Sequence, residues 1–364
     1  MKFKVAKAAL MNGLQIVQNV VGVRSTLPIL SNVLLVADKS DLALATTDLD
    51  VTIRCRVEAE VQKPGATTLP ARRFASIVRE LPEAAIEVET DEKDVATLEC
   101  NSSFFRIHGL SEDEFPPIPK PEGKCSYHID QGVFREMLKK TSYAASGDET
   151  RHVLNGVLLS FKGGKLTMVA TDGRRLALIE HEIEFPKESE IDVILPTKSV
   201  TELMHVLGDE GELKIHRKDS QIMFEFGTIF VASKLIEGTY PNYRQVIPSQ
   251  CEERITVERE TLHTALRRVS LVTSDRSNAM KMVFSKNKLV ITMTTPDVGE
   301  ARETIPIKYS GKEITVAFNP DFMMDPLKNL SNDEVFVEIT DELSPGVIKC
   351  DMPFLYVLMP MRIT

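Results

Sequence analysis

Through the middle of the chain, apolar and polar residues take turns in short runs. Asn155–Phe161, Leu166–Ala170 and Leu176–Glu182 alternate as half-buried strands do, and Lys162-Gly-Gly-Lys165 predicts the tight turn of a hairpin. Ahead of them, Tyr127-His-Ile-Asp130 reads as a short strand and the stretch from Gln131 to Tyr143 as a helix. The pattern then replays. Asp192-Val-Ile-Leu195 predicts a strand, and Thr197–Leu207 a helix with Val200, Leu203, Met204 and Leu207 on one stripe. Strands follow at Gly211–His216, Gln221–Phe226 and Ile229–Leu235, broken by Asp219-Ser220 and Gly227-Thr228. Helical spacing lays the apolar stripe on the sheet and leaves the other face free.

The same sentence is written in three places, about 125 residues apart: Asn32 to Asp48, Asn155 to Asp172 and Met280 to Asp297. A second phrase repeats in step, as Thr68-Leu-Pro-Ala-Arg-Arg, Ile194-Leu-Pro-Thr-Lys-Ser and Ala317-Phe-Asn-Pro-Asp-Phe. Phe115-Pro116 and Tyr240-Pro241 form a third pair. The expected fold is α+β, with six strand–helix–three-strand units paired into three domains at 1–124, 125–252 and 253–364. The joins fall in the proline-rich stretch 116–121 with Glu122-Gly-Lys, and in the polar stretch 247–253. Three domain-sized copies make geometry, more than catalysis, the expected product of the chain.

A length of 364 residues suits two or three domains, and the hydrophobic share of 43% is ordinary for a globular protein. Five scattered cysteines without a Cys-x-x-Cys predict reduced, mostly buried thiols, with neither a disulfide framework nor a zinc site. Polar Asn12, Gln15, Gln18 and Asn19 interrupt the apolar N-terminal stretch, so neither a signal-peptide core nor a membrane span is expected, and the protein reads as cytosolic.

Motifs for chemistry are missing. There is no Gly-x-Gly-x-x-Gly after a strand, no phosphate loop, no His-Glu-x-x-His and no nucleophile elbow, and the seven histidines form no ligand-like pair. No metal or cofactor is expected. The sharpest enzymatic candidate is Asp172, beside Arg174 and Arg175 in Thr-Asp-Gly-Arg-Arg, with Asp48 and Asp297 in the same frame of the other copies. A residue repeated in every copy is better explained as a turn-former bonding its own backbone.

The net charge of −9 argues against nucleic acid until the signs are located. Lysine and arginine are in excess over the helical stretches Lys7–Arg24, Ala71–Leu81 and Gln131–Lys140, and slightly so over Glu258–Val269. Thr197–Leu207 is balanced and Pro320–Leu330 is slightly acidic. Offsetting helix dipoles explains a basic end on any one helix. A basic helical layer inside an acidic remainder suits a phosphate-lined track. With no tryptophan and six tyrosines, base-stacking modes are disfavoured, so any nucleic acid would be held by its backbone. Tyr356 to Thr364 is unusually apolar for a chain end; Tyr356–Leu358 predicts a last strand, and Met359-Pro360-Met361 offers adaptable side chains.

These residues together resemble the bacterial replicative sliding clamp, the beta subunit of DNA polymerase III, along the whole chain. The resemblance rests on Met1-Lys-Phe-Lys, Thr26-Leu-Pro-Ile-Leu-Ser-Asn32, Pro64-Gly-Ala-Thr-Thr-Leu-Pro-Ala-Arg72 and Leu154-Asn-Gly156. It rests also on Ala170-Thr-Asp-Gly-Arg-Arg-Leu-Ala177, Tyr240-Pro-Asn-Tyr-Arg244 and Met359-Pro-Met-Arg362. It implies a non-enzymatic processivity factor: three-domain subunits joined head to tail as a homodimeric six-domain ring, helices lining a pore for duplex DNA, and sheets outside. It implies DNA contacts at Arg24, Arg72, Arg73, Arg151 and Lys198, to which the helix charges add Lys139, Lys140, Arg267 and Arg268. At the subunit boundary it implies Phe105 and Ile107 against Leu271 and Val272, with Arg73 facing Glu300 and Glu303.

The resemblance further implies a groove for partner peptides of the polymerase alpha subunit, the clamp loader and other clamp-binding proteins, any ATP belonging to the loader. Its matching positions are Leu154, Thr171, Gly173, Arg174, Arg175, Leu176, Pro241, Asn242 and Val246. Asn319, Phe322, Leu343, Pro345, Val357, Leu358, Met359, Pro360, Met361 and Arg362 complete it. Gln245, Arg174 and the Ile363-Thr364 tail depart from the family pattern and bear on peptide preference. Two other readings stay open: an enzyme built on Asp172 and its arginines, which turnover would reveal, and a duplicate clamp outside replication, which gene replacement would reveal.

Overall fold

A computed structural model describes residues 1–22, 27–120, 125–248, 253–274 and 278–362. The first repeat runs β1 (Lys2–Ala6), α1 (Lys7–Val17), β2 (Asn32–Asp38), β3 (Asp41–Thr47), β4 (Val51–Glu58) and β5 (Glu60–Lys63). It continues with β6 (Gly65–Pro70), α2 (Ala71–Glu80), β7 (Ala85–Thr90), β8 (Val95–Cys100) and β9 (Ser103–His108). The second runs β10 (Cys125–Asp130), α3 (Gln131–Thr141), β11 (Gly156–Lys162), β12 (Lys165–Thr171) and β13 (Arg175–Glu182). Then come β14 (Ile191–Pro196), α4 (Thr197–Val206), β15 (Glu212–Lys218), β16 (Gln221–Phe226) and β17 (Ile229–Lys234). The third runs β18 (Glu253–Glu258), α5 (Arg259–Val269), β19 (Met280–Ser285), β20 (Lys288–Thr295) and β21 (Gly299–Pro306). It ends with β22 (Ile314–Phe318), α6 (Pro320–Asn329), β23 (Glu334–Ile339), β24 (Gly346–Cys350) and β25 (Met352–Leu358).

The strand–helix–three-strand units expected from the sequence are present, with three differences. The helical stretch counted to Arg24 ends at Val17 and continues only as a 3-10 turn over Gln18–Val20, because two β-branched valines and Gly22 disfavour further helix. The short β5 was invisible because Glu60-Val-Gln-Lys63 has three polar residues in four; it pairs antiparallel with β1. In the third copy the aspartates do not align. Counting from the hairpin turns, where Lys162 pairs with Lys165 and Ser285 with Lys288, the counterpart of Asp172 is Thr295 and not Asp297.

Chain packing divides into two compact units, Met1–Arg135 with Lys198–Leu235 and Glu136–Thr197 with Ile236–Thr364. The first holds sheets ordered β5-β1-β7-β8-β9 and β10-β15-β16-β17-β4-β3-β2-β6; the second holds β14-β11-β12-β13-β25-β24-β23-β18 and β21-β20-β19-β22. Sheets therefore cross between repeats. The second half of the middle repeat shares a sheet with the first repeat through β4–β17, and its first half shares one with the third repeat through β13–β25.

One face of each sheet is covered by helices. Leu10, Leu14 and Val17 of α1 and Phe74, Ala75 and Val78 of α2 are fully buried. The approach is close at Gly13, where a Cβ would fall 2.5 Å from Cδ1 of Leu44. The long sheets are covered on their second face too. Ile29, Leu30, Leu34, Ala45 and Phe115 cluster there with Leu110 and Ile118, and Leu158, Val169, Leu176, Ile194 and Val357 cluster with Tyr240 and Tyr243. Burial on both faces explains why β11 and β12 are nearly continuously buried, where alternation alone predicts one wet face.

Candidate functional site

The turn between β12 and β13 is built by its own side chains. Asp172 Oδ1 accepts from the amides of Arg174 (2.8 Å) and Arg175 (3.0 Å). The Thr171 hydroxyl donates to the Arg175 carbonyl (2.6 Å) and accepts from Gly173 N (3.1 Å). Gly173 sits at φ +84°, and a Cβ there would lie 3.0 Å from the guanidinium of Arg151, which itself donates to the Asp172 carbonyl at 2.9 Å. Asp172 is thus a turn-former. Asp48 does the same for Asp50 (3.0 Å) and Val51 (2.7 Å).

Beyond the turn, β13 pairs antiparallel with β25, Arg175 opposite Leu358 and Leu176 opposite Val357. The backbone continues past the strand: Met359 N donates to the Arg174 carbonyl (2.9 Å) and Met361 N to the Ala317 carbonyl (2.7 Å). Leu176 and Val357 form an apolar floor with Leu158, Val169 and Ile194, flanked by half-buried Val153, Tyr240, Tyr243 and Ile247. Around it, Val246, Leu343 and Met359 are exposed at 45, 75 and 41%. Leu154 and Leu358 are buried, Pro241, Asn242, Arg174 and Arg362 are exposed, and Thr171, Pro345, Pro360 and Met361 are half-buried. Asn319 caps α6, its Oδ1 accepting from the amides of Asp321 (2.9 Å) and Phe322 (3.3 Å).

Arg175 is the most heavily engaged side chain of this region. Nε donates to Asp172 Oδ2 at 3.1 Å, Nη2 to the Tyr143 carbonyl at 2.6 Å, and Nη1 to the Asp325 carboxylate. Its guanidinium lies 4.3 Å from the centre of the Phe322 ring. The Tyr356 hydroxyl donates to the Phe322 carbonyl at 2.7 Å. Burial opposes the charge on Arg175, yet Tyr356, Asp325 and Asp172 outweigh it and raise its pKa; burial pushes the hydroxyls of Tyr143 and Tyr356 up as well. Sequence reading named Arg175 and Phe322 but missed Asp325, Tyr143 and Tyr356. Asp325 counted only as an acid against a basic track, Tyr143 only as the end of a helical stretch, and Tyr356 only as the start of a last strand.

Of the basic residues, Arg24 lies outside the described residues, as do Ile363 and Thr364. Arg72 and Arg73 stand exposed in the first turn of α2, together with Ser76 and Arg79, and Arg72 donates to the Val21 carbonyl at 3.1 Å. A crevice between the 3-10 turn after α1 and α2 is lined by Gln18, Asn19, Arg72, Ser76 and Arg79, so Arg79 joins this face. Lys198 is ion-paired with Asp48. Lys139 and Arg267 are exposed. Lys140 is 5% exposed and bound to Glu136 at 2.9 Å, so the helix charge count overstates what faces solvent. Arg268 makes a two-point contact with Glu303 (2.7 and 2.9 Å), lowering the pKa of that carboxyl.

Among the sheet-end strands, β9 and β21 have one neighbour each and carry or adjoin exposed apolar side chains. On or beside them, Phe104, Phe105, Leu271 and Val298 are exposed at 57, 38, 79 and 55%. Val272 is half-buried, and Ile107 is 5% exposed within its own unit. Among the described residues no group of histidine, cysteine and acidic side chains could hold a metal, and no helix is long and apolar enough to cross a membrane. Cys55, Cys100 and Cys350 are free and buried, and burial pushes the Cys55 thiol up to about 12.

Family models of the DNA polymerase III beta subunit match the chain end to end: the N-terminal domain over residues 1–119, the central domain over 128–242 and the C-terminal domain over 244–362. The beta sliding clamp of Chlamydia muridarum is 35% identical over 363 residues, covering 100% of this chain and 99% of the relative. A Pseudomonas aeruginosa DnaN sliding clamp solved bound to griselimycin matches at TM-score 0.95 and 32% identity, covering 100% of both chains. The Bacillus subtilis DNA polymerase sliding clamp matches at TM-score 0.96 and 28% identity, again over 100% of both chains.

Proposed function

The chain belongs to the DNA polymerase III beta subunit family of sliding clamps, and we propose on that footing that two copies close around duplex DNA and tether the polymerase through the groove beside Arg175. Sliding clamps are non-catalytic processivity factors, so the chain is not an enzyme. The three clamp domains are 1–124, 125–252 and 253–364, and the protein works in the cytoplasm, where the chromosome is copied.

The observation that carries the reading is that, among the described residues, β9 and β21 are the third strands of half-repeats left without a partner in another repeat. Within the chain, third strands of the half-repeats join the repeats in a fixed manner: β4 with β17, and β13 with β25. The same rule leaves β21 to pair with β9 of a second copy, a heterologous contact that closes when repeated twice. It also covers these two edges. Register follows from the two joins, where Cys55 lies opposite Ile229 and Ile179 opposite Phe354. Cys55, Ile179 and Glu303 are equivalent, being paired with Leu44, Met168 and Ile291 at matching distances from their hairpin turns. Ile229 and Ser103 are equivalent as first residues after the turns of their hairpins. Glu303 of one copy therefore faces Ser103 of the other, with Arg302 opposite Phe104, Ala301 opposite Phe105, Glu300 opposite Arg106 and Gly299 opposite Ile107. Leu271 and Val272 supply the apolar contact. Glu300 meets Arg106 directly and Glu303 is engaged by Arg268, which makes Arg73 a secondary partner of these acids.

Arg24, Arg72, Arg73, Arg151 and Lys198, with Arg79 added, make loose phosphate contacts, since a ring that slides must neither read bases nor grip tightly. The groove residues named above receive partner peptides of the polymerase alpha subunit, the clamp loader and other clamp-binding proteins. The exposed apolar rim of Val246, Leu343 and Met359 supports that role.

Retention on DNA tests the reading. The protein is loaded onto nicked circular plasmid by a clamp loader with ATP, washed in high salt, and the circle is then cut once. Survival through the wash and release on linearisation are expected. Stripping by salt alone, or no response to cutting, overturns it.

A further inference from the structure

The groove side chains from the third repeat have to be held against the Gly173 turn from the second, and backbone bonding between β13 and β25 runs out after the bond from Met359 N to the Arg174 carbonyl. What lies beyond that end is a side-chain assembly. Asp325 sits one turn after Phe322 on α6 and grips Nη1 of Arg175. Arg175 grips Asp172, which shapes the turn through its other oxygen. Its guanidinium covers the Phe322 ring at 4.3 Å, and Tyr356 fixes the Phe322 carbonyl. The side chains of Arg175, Asp172 and Asp325 are only 10, 17 and 25% exposed. One guanidinium thus spans two carboxylates and a carbonyl from three separate elements with three of its five donors.

We propose that Asp325 is a positioning residue of the peptide groove, acting through Arg175 to set Phe322 and the Gly173 turn at the spacing a peptide needs. The inference rests on the groove reading above. Asp325 itself need not touch the peptide; without its negative charge the bond from Nη1 loses its charge assistance and the guanidinium is freer to swing off the ring. Asparagine keeps the shape but not the charge, whereas glutamate keeps the charge on a longer stem. The same position on α4 is occupied by Glu202, but the residue matching Arg175 there is Val51, so no such assembly forms at the other sheet join.

Griselimycin, the ligand with which the Pseudomonas clamp was solved, is a suitable probe. Its affinity is measured by calorimetry on the full chain and on Asp325→Asn, Asp325→Glu, Arg175→Lys and Asp325→Asn/Arg175→Lys, with melting curves for each. Loss of one charge-assisted bond predicts about tenfold weaker binding for Asp325→Asn. Asp325→Glu should recover most of that loss, and the double variant should bind no worse than Arg175→Lys alone. A general loss of stability would not give rescue together with non-additivity. Binding of Asp325→Asn equal to the unaltered chain, or losses that multiply in the double variant, overturns the inference while leaving the groove. No binding by the unaltered chain, or undiminished binding by Met359→Ala, overturns the groove reading and the inference with it.

Discussion

The two sheet joins share one backbone and differ in their side chains. In each, the strand after an aspartate-built turn pairs antiparallel with the last strand of another repeat. The next hydrogen bond is identical too: Lys234 N donates to the Asp50 carbonyl at 2.9 Å, and Met359 N to the Arg174 carbonyl at 2.9 Å. At the first join the side chains on that bond are themselves an ion pair, Lys234 with Asp50 at 3.0 Å, and Lys198 closes on Asp48. At the second join they are a thioether and a guanidinium, with Met359 left 41% exposed. Val51, 1% exposed, stands where Arg175 does. One join is sealed and the other is the candidate site. Repetition built both; departure from the repeat sets the candidate groove apart.

The comparison breaks most sharply at Arg175. Arg175→Ala leaves Asp172 and Asp325 part-buried without their cation, and the expected loss is about 3 kcal/mol in a urea titration, with griselimycin binding abolished. Val51→Ala at the matching position removes only methyl groups, and costs about 1–2 kcal/mol with griselimycin binding unchanged. Equal effects of the two on binding would mean that the arginine plays no special part.

Much of this was legible beforehand, because the turn aspartates, the hairpin Gly163-Gly164 and the helix stripes are local patterns with local causes. The groove members came as a set from motif resemblance. What the sequence could not reveal is which strands meet across repeats, since pairing β13 with β25 joins residues 175 and 358 without any local mark. Asp325 is hidden for the same reason. Its meaning depends on a partner 150 positions away. Lys140 was misread because a helical charge count does not say which lysine folds inward.

A smaller effect is expected from the turns themselves. Gly173→Ala puts a Cβ at φ +84° and 3.0 Å from the Arg151 guanidinium, costing about 1–2 kcal/mol by strain. In the other turn Leu49 already holds φ +78°. Leu49→Gly relieves that strain but adds unfolded-state freedom, so a change within about 1 kcal/mol is expected. A large loss at Leu49 and none at Gly173, read from melting curves, would reverse the assignment of the strained position.

Next comes pH. Glu202, the α4 counterpart of Asp325, is 8% exposed, and its Oε2 has no hydrogen-bond partner among the described residues. Burial raises its pKa, with Asp48 adding to the rise while His205 and Lys198 oppose it. A raised carboxyl pKa means that the folded chain holds the proton more tightly than the unfolded one. Stability from that proton is complete below the ordinary value of 4.5 and is lost as pH climbs through the raised value. Glu202→Gln should therefore melt higher than the unaltered chain at pH 7 and converge with it near pH 4. A gap that does not change with pH would place the cause elsewhere.

The smallest effect tests the seal. Lys234 and Asp50 are 52 and 68% exposed, and a pair so open contributes less than about 1 kcal/mol, diminishing with salt. Lys234→Met copies Met359 into the first join while its backbone bond to Asp50 remains. Stability should fall only slightly at low salt and not at all at high salt, because β4 and β17 are held by their ladder and by Arg54, whose guanidinium lies 5.0 Å from the centre of the Phe230 ring. Griselimycin titration should still give one site per chain. A second site in Lys234→Met would mean that the ion pair alone separates seam from groove. One site means that the missing arginine, with its acid on α6, is the larger part of the difference.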